Sequence, residues 1–254
     1  MPRIPIGIQL YTVRQDLDKD YTGTIRRLAE MGYQGIELAN FGQLAATDLK
    51  ALVDDLAIDV VGCHASLDQM KNDLESVLDY QEAIGNHRLI LPHLSEEIQA
   101  RGSQGYREVG EFLGETAQRI APRGFSLSYH NHSFEFVPDG EGYYLDTLLE
   151  AGEKANVKSE LDTYWVRHGG ADPVDYIRKY SGRIELLHIK DMGEGEEKPF
   201  SEIGSGLLDW DSIFAAAEEA GVEWYLVEQD LCAGPPLESA KKSLEYLRSR
   251  GMLS

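Results

Sequence analysis

Basic side chains are scarce in this chain: 24 Lys and Arg stand against 44 Asp and Glu, a formal charge of −20 over 254 residues. A surface that acidic repels phosphate backbones and anionic lipid headgroups, so neither nucleic-acid nor membrane partners are expected. Cysteine is nearly absent, with Cys63 and Cys232 the two present, and two thiols make neither a disulfide framework nor a paired CxxC metal clip. No apolar run approaches the roughly 18 residues of a membrane helix. The start, Met-Pro-Arg-Ile-Pro-Ile, has no long apolar core or small-residue cleavage site, which makes a cytoplasmic protein the expectation. Neither GxGxxG nor GxxxxGK[ST] occurs, so dinucleotide and P-loop sites have no anchor. No linker or low-complexity segment divides the chain, and the acidic run Gly193-Glu-Gly-Glu-Glu-Lys198 reads as a solvated loop.

What the chain does have is alternation. The apolar run Ile4–Leu10 is followed by a helical pattern at Tyr21–Met31, closed by Gly32, and then by a second strand at Gly35–Ala39. The same punctuation recurs. Helical patterns at Asp48–Leu56, Asp68–Ile84, Tyr106–Ala121, Leu145–Ala151, Pro173–Tyr180, Trp210–Ala220 and Pro236–Arg250 separate strands at Ile58–His64, Arg88–Pro92, Phe125–His130, Val157–Leu161, Arg183–Lys190 and Trp224–Glu228. Eight strand–helix pairs at a spacing of roughly thirty residues imply parallel strands joined by right-handed crossovers. A single-domain (β/α)8 TIM barrel over residues 1–254, in the α/β class, accommodates them better than an open sheet.

In such a barrel the site lies at the C-terminal ends of the strands. Those ends carry Gln9 and Tyr11, Glu37, His64, His93, then His130 with His132 and Glu135, then Asp162 with Trp165, His188 with Lys190 and Asp191, and Glu228 with Asp230. Polar residues at exposed ends are ordinary, and Glu37, His64 and His93 need no function. Asp162, His188 and Glu228 differ: they are ligand types at the ends of three consecutive strands, and an imidazole with two carboxylates suits a divalent ion such as Mn²⁺, Co²⁺, Fe²⁺ or Zn²⁺.

Leu161-Asp-Thr-Tyr-Trp165, His188-Ile-Lys-Asp191, Ile203-Gly-Ser-Gly206 with Asp209-Trp210, and Val227-Glu-Gln-Asp230 resemble the xylose-isomerase-like TIM barrel superfamily, in particular its sugar phosphate isomerase/epimerase group. Ile8-Gln-Leu-Tyr-Thr-Val-Arg14 and Tyr129-His-Asn-His132 resemble one branch of that group. The resemblance implies one divalent metal ion, Mn²⁺ foremost with Mg²⁺ also admissible, held by Glu, Asp, His and Glu from strands five to eight. Asp162, His188 and Glu228 match three of these. At the fourth position stands His130, with Glu135 five residues on. The matching strand end favours His130, while a Glu135 folded back onto the ion would restore the usual set.

The implied chemistry is proton abstraction beside a metal-polarised carbonyl. Glu228, His132, Glu135 and Lys190 are the candidate acid/base and oxygen-holding groups, and Gln9, Tyr11, His64, Trp165 and His168 the candidate substrate contacts. A sugar isomerase or epimerase acting on a ketose or keto-sugar is the first expectation. A keto-sugar or cyclitol lyase using the same first step is the second, raised by the missing strand-five glutamate, and a non-catalytic sugar-binding barrel the third. The abasic-endonuclease branch is disfavoured by the charge and by too few ligands for its metal cluster. Without an Arg/Lys cluster, an unphosphorylated small-molecule sugar is preferred. A homo-oligomer is implied by the resemblance alone.

Overall fold

The structure is a computed structural model that describes residues 3–253; positions 1, 2 and 254 of the expected 1–254 domain lie outside the described residues. Eight parallel strands, β1 (Ile6–Gln9), β2 (Gly35–Leu38), β3 (Asp59–His64), β4 (Arg88–Leu91), β5 (Ser126–His130), β6 (Lys158–Asp162), β7 (Ile184–Ile189) and β8 (Trp224–Val227), close into a barrel in sequence order. Closure comes from β8 pairing in parallel with β1, Leu226 opposite Gly7. The fold is therefore the expected (β/α)8 barrel, with strand limits within one or two residues of those read from the pattern.

Two helical expectations change. The stretch Asp68–Ile84 is two helices, Leu67–Asn72 and Leu74–Ile84. Asp73 between them leaves helical geometry at ψ 18°, and the first of the pair starts on a capping box between Ser66 and Gln69. A further helix, Thr163–His168, follows β6 directly. The carboxylate of Asp162 starts it by accepting from the Trp165 amide at 2.8 Å. Six residues without an apolar stripe give periodicity nothing to detect.

Inside the barrel the side chains lie in layers. Val61, Ile90, Leu186 and Leu226 form an apolar plug of their own. Gly7 and Gly35 face the same plug, and a Cβ on Gly35 would come within 2.8 Å of both Val61 and Trp224, so β1 and β2 give it no side chain there. Inward positions along a strand recur every second residue. Two residues beyond the plug stand Gln9, Glu37, His188 and Glu228, all buried. The polar layer is thus carried on an apolar floor.

After β7, Asp191 explains why the Gly-Ser-Gly and Asp-Trp segments accompany His-Ile-Lys-Asp. Its buried carboxylate accepts from the amides of Gly204 (2.9 Å), Gly206 (3.1 Å) and Leu208 (3.2 Å) and from the indole N–H of Trp210 (2.8 Å). A Cβ on Gly206 would meet that carboxylate at 2.4 Å, hence the glycine. Asp191 is structural: it pins the loop after β7 and with it Lys190. Asp191→Ala strands several buried donors and is expected to cost roughly 3 kcal/mol of stability, read from urea denaturation. A loss below about 0.5 kcal/mol would mean that the loop is held by other contacts.

Candidate metal centre

Each member of the polar layer is placed by strand register. His130 lies opposite Glu160 on β6, Asp162 opposite His188 on β7, and Gln9 opposite Glu37 on β2. Two overlapping groups of ligand atoms result, each within 4.8 Å of one another: His130, Asp162, His188 and Glu228 above, and His64, His130, Glu160 and His188 below. All are buried, so the set could hold a metal ion on chemical grounds as well as geometric ones.

In the upper group His188 Nδ1 is 2.9 Å from Glu228 Oε2. Lys190, fully buried, places its ammonium 2.8 Å from Glu228, 3.0 Å from Asp162 and 2.9 Å from Asp230. In the lower group three imidazole nitrogens converge on Glu160 Oε2: His64 Nε2 at 2.9 Å, His130 Nδ1 at 3.1 Å and His188 Nε2 at 3.2 Å. Glu37 stands beside it, 2.8 Å from His188 Nε2, and accepts from the Gln9 amide at 2.6 Å.

The electrostatics follow from burying so many carboxylates together. Burial alone would lower the His64 imidazole, but Glu37 and Glu160 outweigh it and raise the group to about 10. Burial raises the Asp162 carboxyl to about 6 against the opposing pull of Lys190. His132 goes the other way, driven by burial and then by the Lys190 charge to about 3, so its ring is neutral near pH 7. Above the layer opens a cavity of about 330 Å³ with His64, His93, His130 and His132 from the β3 to β5 side and Lys190, Glu228 and Asp230 from the β7 to β8 side.

Comparison with known proteins gives this arrangement a lineage. Residues 25–250 match the family described as the xylose isomerase-like TIM barrel. The chain belongs to that family. Among curated relatives, an inosose dehydratase of Clostridium botulinum is 23% identical over 278 aligned residues, covering 94% of this chain and 93% of its own. A solved sugar phosphate isomerase/epimerase from Parabacteroides distasonis superposes with a TM-score of 0.81 at 26% identity, covering 100% of this chain and 96% of that one. A structure described as the IOLI protein with a binding zinc atom superposes at 0.71, with 16% identity and 97% and 98% coverage, a likeness of fold.

Against the residues expected of such a barrel, the structure gathers His130, Asp162, His188 and Glu228 into one group, with Lys190 among them and His132 on the cavity wall. Tyr11 is at the rim, 43% exposed, with Arg14 over its ring at 4.0 Å. His64 lines the cavity as expected of a substrate contact but also belongs to the lower ligand group. Trp165 lies behind His132, ring centroids 5.3 Å apart. Three expectations are corrected. Glu135 belongs to neither ligand group: it accepts from the Tyr129 hydroxyl and from the His132 amide at 2.8 Å, and Tyr129, alternating with inward His130, faces the surrounding helices. Gln9 is completely buried and spends its amide on Glu37 and the Tyr11 amide rather than on the cavity. His168 packs on Tyr164 and Trp165, outside the cavity lining.

Glu160 gives no strand-end signal, Glu37 reads as an ordinary exposed end and His64 as a substrate contact, yet all three face the barrel interior. The signal for Glu160 lay in the period of two: it stands two residues before Asp162 and therefore on the same inward face. With it the interior holds more ligand-type groups than the strand ends alone suggested.

The displaced Glu135 yields a pH prediction. Burial raises its carboxyl from 4.5 to about 7. A raised acid keeps its proton in the folded state while the unfolded chain has released it, so the contribution is complete below about pH 4.5 and is lost as pH rises towards 7. Relative to Glu135→Gln, the wild-type chain should lose on the order of 3 kcal/mol between pH 4.5 and 7.5, measured by urea denaturation at each pH. A constant difference across that range would mean an ordinary carboxyl.

Proposed function

We propose that the protein is a divalent-ion-dependent lyase that dehydrates a keto-cyclitol or keto-sugar at this barrel mouth. The observation that carries the proposal is the missing carboxylate on the β5 side of the cavity. Epimerisation, which inverts one carbon through an enediolate, calls for a proton-moving group on each face of that carbon. Here the β5 position is His130, Glu135 is turned outwards, and the carboxylates that line the cavity, Glu228 and Asp230, are both on the β8 side.

Elimination makes a smaller demand. One group removes the C–H proton beside the carbonyl, and another protonates the hydroxyl that leaves from the next carbon as water. His132 lines the cavity with its Nδ1 unpaired and can accept the first proton. Lys190, on the opposite wall and held by Asp162, Glu228 and Asp230, can donate the second. Exchange with solvent through the open cavity then resets both groups, His132 releasing the proton it took and Lys190 taking one up beside Glu228, 2.8 Å away. His130 and His188, common to both ligand groups, would hold the ion together with carboxylates of the layer. A divalent ion there supplies Lewis acidity, drawing off the negative charge that develops on the carbonyl oxygen. The inosose dehydratases among the relatives make keto-inositols the first substrates to try. The −20 charge favours unphosphorylated ones.

The expected isomerase chemistry is the competing outcome of one experiment. The Mn²⁺-loaded protein is incubated in D₂O with an inosose and with a 3-keto-glycoside. Loss of water with growth of an unsaturated-ketone absorbance supports the lyase; deuterium at one carbon with no elimination overturns it in favour of the isomerase. Chelation should abolish turnover and Mn²⁺ restore it. Lys190→Met should lower kcat by about 10²- to 10³-fold with a smaller change in KM, since its proton is needed after binding. Unchanged kcat would remove Lys190 from the acid role.

A further inference from the structure

We infer that the groove beside the mouth cavity, between the loops after β1 and β2, is a second subsite that holds a sugar unit. The substrate is then a two-unit molecule, a keto-cyclitol or keto-sugar carrying a glycosidically linked sugar. The inference rests on the reading that the mouth takes a keto ring, and it adds what stands next to that ring.

The groove is built by two short stretches of chain. The turn Leu10–Val13 and the helix Arg14–Leu17, which follow β1, form one side, and Ala39, Asn40 and Gln43 after β2 form the other. Its volume is about 550 Å³. Tyr11 and Ala39 line both this groove and the mouth cavity, so the two spaces adjoin at a tyrosine and an alanine. Two other cavities, of about 390 Å³ around Arg178 and about 350 Å³ around Phe112, share no residue with the mouth. The mouth itself, at about 330 Å³, lies at the lower end of the roughly 300–1,000 Å³ of small-molecule sites. That suits one six-membered ring and leaves the adjoining groove for a second.

Three features give the groove the chemistry of a sugar site. The first is a fixed aromatic. Tyr11 is 43% exposed, yet its amide donates to Gln9 Oε1 at 3.1 Å and its carbonyl accepts from the Arg14 guanidinium at 2.8 Å. That guanidinium lies over the ring, 4.0 Å from its centroid. An exposed ring already held in place covers a ligand with little further loss of freedom.

The second feature is unspent donors. Arg14 is half-buried and forms no ion pair among the described residues, in a chain with 44 carboxylates. Its bond to the Tyr11 carbonyl leaves most of its five N–H groups for a ligand's oxygens. The third is the amide pair Asn40 and Gln43, which offers donors and acceptors together, as vicinal hydroxyls require. A purely apolar occupant would leave these groups unpaired. Asp18 and Lys19 stand in the same lining, so no single sign of charge is favoured. A neutral sugar ring meets all of these conditions, and the small side chain of Ala39 leaves the passage to it open.

Unreactive probes separate the subsite from the reaction. myo-Inositol with its α-galactoside, and methyl β-glucoside with methyl β-cellobioside, are two pairs that lack a ketone and differ by one sugar unit. Each is titrated calorimetrically into the protein loaded with Zn²⁺, a diamagnetic ion that also permits ligand NMR. In at least one pair the two-unit member is expected to bind about 10-fold more tightly or better, with saturation transfer from the protein reaching protons of both rings. A smaller difference in both pairs, or saturation confined to one ring, overturns the subsite. Ala39→Leu, which narrows the passage, and Arg14→Met, which removes the donors, should each cut the preference by about 3-fold or more. A preference unchanged in both overturns the placement, and should one of them fail to fold by circular dichroism the other decides. A protein that binds no member of either pair overturns the sugar reading of the mouth itself, a result distinct from equal binding of one unit and two.

Discussion

Everything at the mouth of this barrel follows from the burial of Glu37 and Glu160 in its interior, both with no exposed surface. Taking a carboxylate out of water costs several kcal/mol even after the surroundings relax, and is tolerated where hydrogen bonds and opposite charge surround it. Their neighbours are what that requirement selects: Gln9 donating to Glu37, His188 between Glu37 and Glu160, and His64 and His130 against Glu160. Below this layer the barrel interior carries Val61, Ile90, Leu186 and Leu226. An apolar floor beneath a charged layer keeps water from entering from below, which strengthens each interaction above it.

This layering shows what was legible in the sequence. Alternating strand and helix patterns, several of them closed by a glycine, mark the barrel and its strand ends because both signals are local. Asp162, His188 and Glu228 could be found because each terminates an apolar run. Glu160 could not be found that way: it lies inside the strand, where a carboxylate reads as a solvated face. Only once the fold is a closed barrel does the inward face become dry and the carboxylate informative. Glu135 failed for a different reason. Its distance along the chain from His130 allows it to reach either side of the barrel wall, and the choice is made by the Tyr129 hydroxyl, which lies on the outer face because its neighbour His130 lies on the inner one.

The motifs that carry the family likeness divide along similar lines. Asp191, the Gly-Ser-Gly turn and Trp210 form one hydrogen-bonded knot whose task is to hold the loop after β7. Their association in this chain therefore reports architecture, and it fixes the backbone next to Lys190. Lys190, Asp162, Glu228 and Asp230 above that knot are an ion-paired set in which one ammonium stands among three carboxylates.

His188 joins the two layers. Its Nδ1 faces Glu228 at 2.9 Å, and its Nε2 faces Glu37 at 2.8 Å and Glu160 at 3.2 Å. A neutral imidazole carries one N–H and so satisfies one side while presenting a lone pair to carboxylate oxygens on the other; the imidazolium satisfies both, which is why the surrounding carboxylates hold this ring's pKa well above its ordinary value against the effect of burial. With its single N–H held on Nδ1 and donated to Glu228, the neutral ring leaves the Nε2 lone pair facing Glu37 and Glu160. The ring would then set the orientation of the carboxylate that neighbours Lys190. The two layers are in this way coupled through a single side chain, and the charge that Glu37, Glu160 and Glu228 face depends on which of its two nitrogens carries the proton.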